Sequence, residues 1–180
     1  MKFKNMFSPI QIGPMTVKNR FVVPPMGNNF ANSDGTWSDE SVAYYGERAK
    51  GQFGLITIEA TVVHKGAKGG PKKPCLYDDN SIESLKKITD ACHEEGAKVS
   101  IQLQNAGPEG NAKNAGAPIQ AATAIASADG RDIPEEVSTE KVYELVKGYG
   151  EAAERAMKGG ADAVEIHLSL IHISEPTRRS

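Results

Sequence analysis

The sequence predicts an α/β fold in which strands and helices alternate and the strands form a parallel sheet. Four short apolar segments are separated by three segments with helical spacing, and this order extends over most of the 180 residues. Repeated βα units build parallel sheets, and nearly continuous apolar strands indicate burial on both faces. A doubly wound open sheet and part of a (β/α)8 barrel both fit. Four strands cannot close a barrel, and a full barrel usually needs about 250 residues.

The N-terminal segment predicts a small hairpin followed by a buried strand. Two short alternating stretches, Ile10–Ile12 and Met15–Val17, flank a Gly-Pro pair of the kind found in turns. Residues 20–24 contain β-branched and aromatic residues without alternation and end at Pro24 and Pro25. Because proline cannot continue a central strand, the first strand of the sheet should stop there.

The first helix is predicted from Ser38, with acidic residues in its first turn, to the glycine at position 51. Its buried face is marked by apolar residues at helical spacing: Val42, Tyr45 and Ala49. A second short apolar strand follows at residues 54–60.

The second helix is predicted to begin at Asn80, which precedes Glu83 by three residues in a capping arrangement, and to end near Gly96. One face of this helix is apolar: Ile82, Leu85, Ile88, Ala91 and Cys92. Residues 97–103 then form the third predicted strand.

Residues 104–137 are rich in Ala, Gly, Asn and Pro and predict a long loop, which at that length is usually functional or disordered. Ser138 or Thr139 caps the third predicted helix, which ends at Gly159, and residues 161–167 form the fourth strand. One side of that helix is predicted to be buried: Val142, Leu145, Val146, Tyr149, Ala153 and Ala156.

Composition excludes several classes of protein. The chain has 39% hydrophobic residues, which excludes a disordered polypeptide, and two cysteines, which exclude a disulfide scaffold. With 21 basic and 23 acidic side chains it shows no bias towards nucleic acid or anionic membranes. No apolar run has the length of a signal peptide core or a membrane helix, so we expect a soluble, cytoplasmic protein.

The predicted ligand site lies beyond the carboxyl ends of the strands, as in both candidate architectures. Small and amide-bearing residues follow these ends, at positions 25–29, 59–61, 102–105 and 165–167. Uncharged donors and acceptors suit a planar heteroaromatic ligand that needs hydrogen bonds at its edge and close approach of the backbone. Strands that simply end in polar turns would have a similar composition.

Four motifs, in this order, resemble the Old Yellow Enzyme family: residues 7–13, residues 18–26, Gln102-Leu103 followed by Ala106-Gly107, and residues 160–167. Members of this family are FMN-dependent (β/α)8-barrel ene-reductases, and they include longer 2,4-dienoyl-CoA reductases and bile-acid-type enoate reductases. The resemblance covers residues 5–167. It implies that residues 1–167 are a partial FMN-binding TIM-barrel domain, the N-terminal half with about four βα units, preceded by the hairpin.

The resemblance also implies a set of flavin contacts: Pro24, Pro25, Met26, Gly27, Ala60 and Gln102. The segment from Pro24 to Gly27 would contact FMN through its backbone, Ala60 would lie beside the ring, and Gln102 would bond the pyrimidine edge. Gly27 departs from the family pattern, because many relatives have a Thr or Cys there that bonds the flavin O4.

By the same resemblance, His167 is the catalytic residue and binds substrate. FMN would take hydride from NADH or NADPH and pass it to the C=C bond of an α,β-unsaturated carbonyl compound. His167 would donate a hydrogen bond to the carbonyl oxygen, on which negative charge builds. Asn29 falls near a position that touches substrate. Gln104 and Asn105 replace a more usual aromatic-histidine pair.

Other interpretations stay open at this stage. Glu165 and His167 could perform acid–base chemistry in a lyase or isomerase of the same fold. Carboxylates at strand ends, here Glu59 and Glu165, more often bind backbone groups or a neighbouring Lys or Arg. The loop lysines at positions 68, 72 and 73 are most simply solvated.

No metal site is predicted, because the spacing of these residues does not match metal ligands: His64, His93, Cys75 and Cys92. Cys92 is expected in the core and Cys75 as an unpaired loop thiol. A 4Fe-4S cluster, which longer relatives can carry, would lie in a missing C-terminal part.

Residues 168–180 depart from the family pattern and resemble a translated sequencing adapter. We therefore expect this tail to be a sequencing artefact and the chain to be a truncated fragment that is inactive alone. An incomplete barrel leaves strand edges unpaired and apolar surface uncovered, which predicts self-association. A non-catalytic truncated product is the third interpretation.

Overall fold

The computed structural model describes residues 3–126 and 132–167; the predicted artefactual tail, 168–180, lies outside them. The strands are β1 (Ile10–Ile12), β2 (Met15–Val17), β3 (Val22–Val23), β4 (Leu55–Val62), β5 (Lys98–Gln104), β6 (Gln120–Ala121), β7 (Glu135–Glu136) and β8 (Ala163–His167). The helices are α1 (Asp39–Lys50), α2 (Ile82–Glu94), α3 (Ala112–Ala115) and α4 (Thr139–Lys158).

A four-stranded parallel sheet in the order β3-β4-β5-β8 forms the centre of the fold. Helices α1, α2 and α4 connect successive strands, so the predicted parallel α/β repeat is confirmed. The register places Ile58 beside Ile101 and Leu103 beside Ile166. The predicted hairpin is also confirmed, because β1 and β2 pair antiparallel.

The core lies between the sheet and its helices, and it consists of residues from α1 (Tyr45, Ala49), α2 (Leu85, Ile88, Cys92), α4 (Ala152, Ala156) and the strands β4 and β5 (Ile56, Ile58, Val99, Ile101, Leu103). Alternate strand positions carry buried polar side chains instead: Thr57, Glu59, Ser100 and Gln102. Since successive side chains point to opposite faces, the second face of the sheet is polar. These polar side chains are buried too, so the expected burial of both faces of the sheet is confirmed on β4 and β5.

The helix caps agree with the sequence analysis at two of three helices. Ser38 accepts a hydrogen bond from the Ser41 amide at the start of α1. Ser138 accepts one from the Lys141 amide at the start of α4. Asn80 is not the cap of α2. Its own amide donates to Asp78 Oδ1 at 3.0 Å, which winds Asp79–Ser81 into a 3-10 turn and moves the start of α2 to Ile82.

The predicted loop over 104–137 is partly regular. It contains the 3-10 turn Gly107–Glu109, helix α3, and the paired strands β6 and β7, while residues 127–131 lie outside the described part. Asn111 caps α3 by accepting a hydrogen bond from the Asn114 amide at 2.9 Å. Elements of two to four residues leave no periodic pattern in a sequence, so the prediction could not detect them.

The outer edge of the fold is less covered than its centre. On β8, Val164 and Ile166 are 38% and 46% exposed. On α4, Val142 and Val146 are exposed although the sequence predicts their burial, because only the second half of the helix packs on the core among the described residues. None of the described helices is long and apolar enough to span a membrane.

Candidate functional site

The carboxyl ends of four parallel strands lie along one edge of the sheet, and the predicted site residues are found there. Residues 24–29 follow β3, Ala60 lies near the end of β4, Gln102 lies in β5, and His167 ends β8. Parallel strands bring the residues that follow them to the same side. The predicted site residues therefore lie at the ends of adjacent strands of one sheet.

The Gly27 segment packs directly against the end of β4. A Cβ atom built on Gly27 would lie 2.8 Å from Lys73 Nζ and 3.7 Å from Glu59 Oε2. The Asn28 amide donates to Glu59 Oε2 at 3.3 Å. Asn29 has a φ of 59°, in the left-handed region that Asn tolerates better than most residues. Gly27 and Asn29 are exposed, so this part of the chain is accessible.

Glu59 is a fully buried carboxylate at this edge. Its Oε2 faces the Lys73 ammonium at 3.8 Å, and its Oε1 has no hydrogen-bond partner among the described residues. Burial raises the pKa of Glu59, while the Lys73 charge and the Asn28 amide oppose the rise. The expectation that this carboxylate binds a backbone group or a cation is confirmed.

Tyr45 links the site to the core. Its hydroxyl accepts a hydrogen bond from the Glu59 amide at 3.0 Å, and its ring is buried in the core. Helical spacing predicts the burial of Tyr45, but no sequence signal indicates the contact of its hydroxyl with β4.

Gln102 and Glu165 form the second half of the site. The two residues are in register on β5 and β8, and the Gln102 amide donates to Glu165 Oε1. Gln104 is in register with the half-buried His167. Because residues two apart in a strand share a face, Gln102, Glu165 and His167 lie on the same face of the sheet. Glu165 thus binds a side-chain amide and not the backbone group or cation that was predicted.

Contrary to the predicted solvated loop, Lys68 is buried and Lys73 is only partly exposed. Lys68 is only 4% exposed and donates to the Ser33 carbonyl at 2.8 Å, and Lys73 pairs with Glu59. Lys72 alone of the three loop lysines is exposed. Lys73 was missed because it is far from Glu59 in sequence, and only the fold of the loop brings the two together.

Both cysteines are buried and unpaired, Cys92 in the core as expected and Cys75 beneath the loop. Burial raises the pKa of Cys75 to about 11 and that of Cys92 to about 12, so both thiols stay protonated near neutral pH. Within residues 3–126 and 132–167, no group of three or more His, Cys, Asp or Glu side chains could hold a metal ion.

These features fit a flavin ring. Gly27 and Ala60 offer small side chains at which a planar molecule can approach the backbone, and Gln102 offers an amide at the same edge. Glu59 Oε1 is a buried acceptor without a partner in the described ranges. Such atoms are rare in proteins, and they mark places where a water, an ion or a functional role is expected.

Comparison with known proteins gives a consistent result. A family model described as NADH:flavin oxidoreductase / NADH oxidase family matches residues 5–170. The NADPH dehydrogenase of Bacillus subtilis (strain 168) is 37% identical over 173 residues, which is 94% of this chain and 50% of the relative. The chain therefore spans about half the length of this curated relative.

Solved structures share the fold. The Old Yellow Enzyme from Pichia sp. AKU4542 is 31% identical and superposes with a TM-score of 0.83 over 91% of this chain and 45% of its own. Morphinone reductase in complex with tetrahydroNAD is 27% identical, with a TM-score of 0.81 over 91% of this chain and 49% of its own. The described βα units thus correspond to about half of a (β/α)8 barrel, and the doubly wound alternative is excluded.

Proposed function

We propose that this chain, which belongs to the NADH:flavin oxidoreductase / NADH oxidase family, supplies the N-terminal half of an FMN-dependent ene-reductase. The reaction is hydride transfer from NADH or NADPH to the C=C bond of an α,β-unsaturated carbonyl compound. The observation that carries this proposal is the convergence of Gly27, Gln102 and His167 at one edge of the sheet in a chain of this family. Relatives named for NADPH and tetrahydroNAD support a nicotinamide as the hydride donor.

FMN, when bound, supplies the hydride-transfer chemistry, and this chain supplies contacts to one part of it. The proposed contacts are Pro24, Pro25, Met26, Gly27, Ala60 and Gln102. Backbone groups around Gly27 lie against the ring, and Gln102 donates to the pyrimidine edge through the amide that otherwise bonds Glu165.

His167 binds the substrate and is the catalytic residue of this half. Its ring N–H donates to the substrate carbonyl oxygen, and a fixed donor there stabilises the charge that develops as the β-carbon accepts hydride. Asn29 contacts the substrate from the same edge of the sheet, where it follows β3, the strand farthest from β8.

The domain proposed is 1–167, with 168–180 a sequencing artefact and the remaining barrel strands encoded beyond it. A 4Fe-4S cluster, if the whole protein has one, belongs to that further part. Exposed apolar residues on β8 and α4, including Ile166 and Val146, support self-association of the 180-residue chain. We place the protein in the cytoplasm.

The decisive experiment is to resequence the locus across codon 167 and to purify its complete product. We expect a yellow protein with a flavin absorbance band and NAD(P)H-dependent reduction of an enone such as cyclohexenone. Gln102→Ala should lower the affinity for FMN about tenfold or more, whereas Gln11→Ala, in the exposed hairpin, should leave it unchanged. His167→Ala should raise KM for the enone and leave FMN bound.

A colourless complete product would contradict the proposal and favour the lyase or isomerase alternative. The variant Glu165→Gln further separates the proposed ene-reductase from the lyase or isomerase alternative. In acid–base chemistry the loss of Glu165 abolishes turnover, whereas in the proposed reaction it changes only the partner of Gln102 and leaves hydride transfer measurable. If the reading frame ends naturally at residue 180 and the product binds no flavin, the chain is a non-catalytic fragment.

A further inference from the structure

We propose that Lys73 contacts the bound flavin and stabilises its reduced form, with its ammonium in the space that a side chain at position 27 would fill. This inference rests on the proposed FMN site. It assigns an electrostatic role to a residue that the family resemblance does not include.

The space beside Gly27 is occupied by the Lys73 ammonium. A Cβ at this position would lie 2.8 Å from Lys73 Nζ, closer than protein Cβ atoms come to other heavy atoms. Any side chain at position 27 would therefore push the ammonium aside. Glycine at this position, in place of the Thr or Cys of many relatives, is what lets a lysine from the loop after β4 reach the end of β3.

The charge of Lys73 is incompletely paired by Glu59. Its distance of 3.8 Å from Glu59 Oε2 is longer than a charged hydrogen bond, which is about 2.7–2.9 Å. The Lys73 side chain is 27% exposed, whereas Glu59 is fully buried. Burial raises the pKa of Glu59, and the Lys73 ammonium opposes this rise. The ammonium keeps N–H groups for a ligand on the open side.

The positive charge of Lys73 is opposite in sign to the charge that FMN gains on reduction. Reduction of FMN adds negative charge to the ring system, and a cation at the edge of the ring favours that form. Opposite charges about 4 Å apart attract each other strongly inside a protein, where the effective dielectric constant is about 20 rather than that of water. Partial compensation by Glu59 leaves a smaller effect, which we expect to be about tenfold in the ratio of affinities for reduced and oxidised FMN.

The test measures the FMN reduction potential of the complete, flavin-loaded protein against reference dyes. Lys73→Met should lower the ratio of affinities for reduced and oxidised FMN about tenfold, which for a two-electron couple is about 30 mV towards negative potential. Lys73→Arg should retain most of the wild-type value. Lys72→Met, at the exposed neighbour, should leave the potential unchanged.

A second variant keeps the test decisive if Lys73→Met does not fold or loses its flavin. Gly27→Ala displaces the ammonium without removing it, so it should also lower the potential, and it should have less effect in a Lys73→Met background. Equal potentials for wild type, Lys73→Met and Gly27→Ala would overturn the role of Lys73 while leaving the flavin site intact. A wild-type protein without flavin would overturn both proposals.

Discussion

The central strand β5 and the edge strand β8 of this sheet contain the same kinds of residue in very different surroundings. Ile101 and Leu103 on β5 are 0% exposed, whereas their register partners on β8, Val164 and Ile166, are 38% and 46% exposed. All four residues are β-branched or aliphatic and occupy equivalent places in parallel strands. Burial is therefore decided by the number of neighbouring elements and not by residue type.

The acidic residues at the strand ends show the same contrast. Glu59 on β4 is completely buried, whereas Glu165 on β8 is exposed. For the candidate site this means that Glu59 and Gln102 are held by packing within the described residues. His167 lies on β8, which has a neighbouring strand on one side only among the described residues.

The largest expected effect comes from matched truncations on β5 and β8. Ile101→Ala should lower the free energy of unfolding by about 2–5 kcal/mol, because it leaves a cavity in a packed core. Ile166→Ala should cost less than about 1 kcal/mol in the 180-residue chain. Urea denaturation of the two variants measures both values, and equal losses would show that β8 is covered in solution.

Asp162 joins the outer strand to the central one, and its replacement should have the next largest effect. It accepts hydrogen bonds from Lys98 Nζ at 2.7 Å and from the Val99 amide at 2.9 Å, and His93 Nε2 lies 2.7 Å from it. Burial opposes ionisation of Asp162, but these partners outweigh it and lower its pKa. Asp162→Asn should cost about 1–2 kcal/mol at neutral pH.

The lowered pKa gives this contribution a pH dependence. A carboxylate with a lower pKa in the folded than in the unfolded state stabilises the fold above its ordinary value of 3.8 and loses that contribution as the pH falls towards the folded value. Thermal unfolding as a function of pH should show wild type and Asp162→Asn converging in acid. A constant difference across the range would argue against a role of the charge.

Tyr45→Phe tests the polar link between the core and the central strand. The variant removes the acceptor of the Glu59 amide and leaves a buried N–H without its partner, which should cost about 1–2 kcal/mol. Tyr44→Phe is the control, because this ring is only half-buried. Chemical denaturation of both variants measures the difference, and a neutral Tyr45→Phe would show that water replaces the hydroxyl.

The smallest change in stability is expected for Glu59→Gln. The pH dependence that Glu59 gives to stability should be opposite in sign to that of Asp162. Because burial raises the pKa of Glu59 above its ordinary value of 4.5, the wild-type fold should lose stability as the pH rises from about 4.5 through the folded pKa. Glutamine does not ionise, so the stability of Glu59→Gln relative to wild type should increase as the pH rises above 4.5. Denaturation midpoints across this range provide the test; a decrease would mean that the pair with Lys73 dominates.

Much of the fold could be predicted because its longer elements have strong periodic patterns and clear end signals. The starts of α1 and α4 at Ser38 and Ser138 were correct. The start of α2 was misplaced because Asp78 competes with the predicted cap for the local amide groups. The short elements between β5 and α4 depend on single hydrogen bonds, such as that of Asn111, which leave no periodic signal.

The order of strands and helices, and the edge at which the site residues lie, follow from the sequence alone, because alternating βα units place all strand ends on one side. The folded chain was needed to show that Lys73 reaches Gly27, that Tyr45 bonds β4, and that Glu59 is buried while Glu165 is exposed. Periodicity reports local geometry and the face that a residue occupies. Burial and ion pairing depend on residues far apart in sequence, whose meeting only the folded chain specifies.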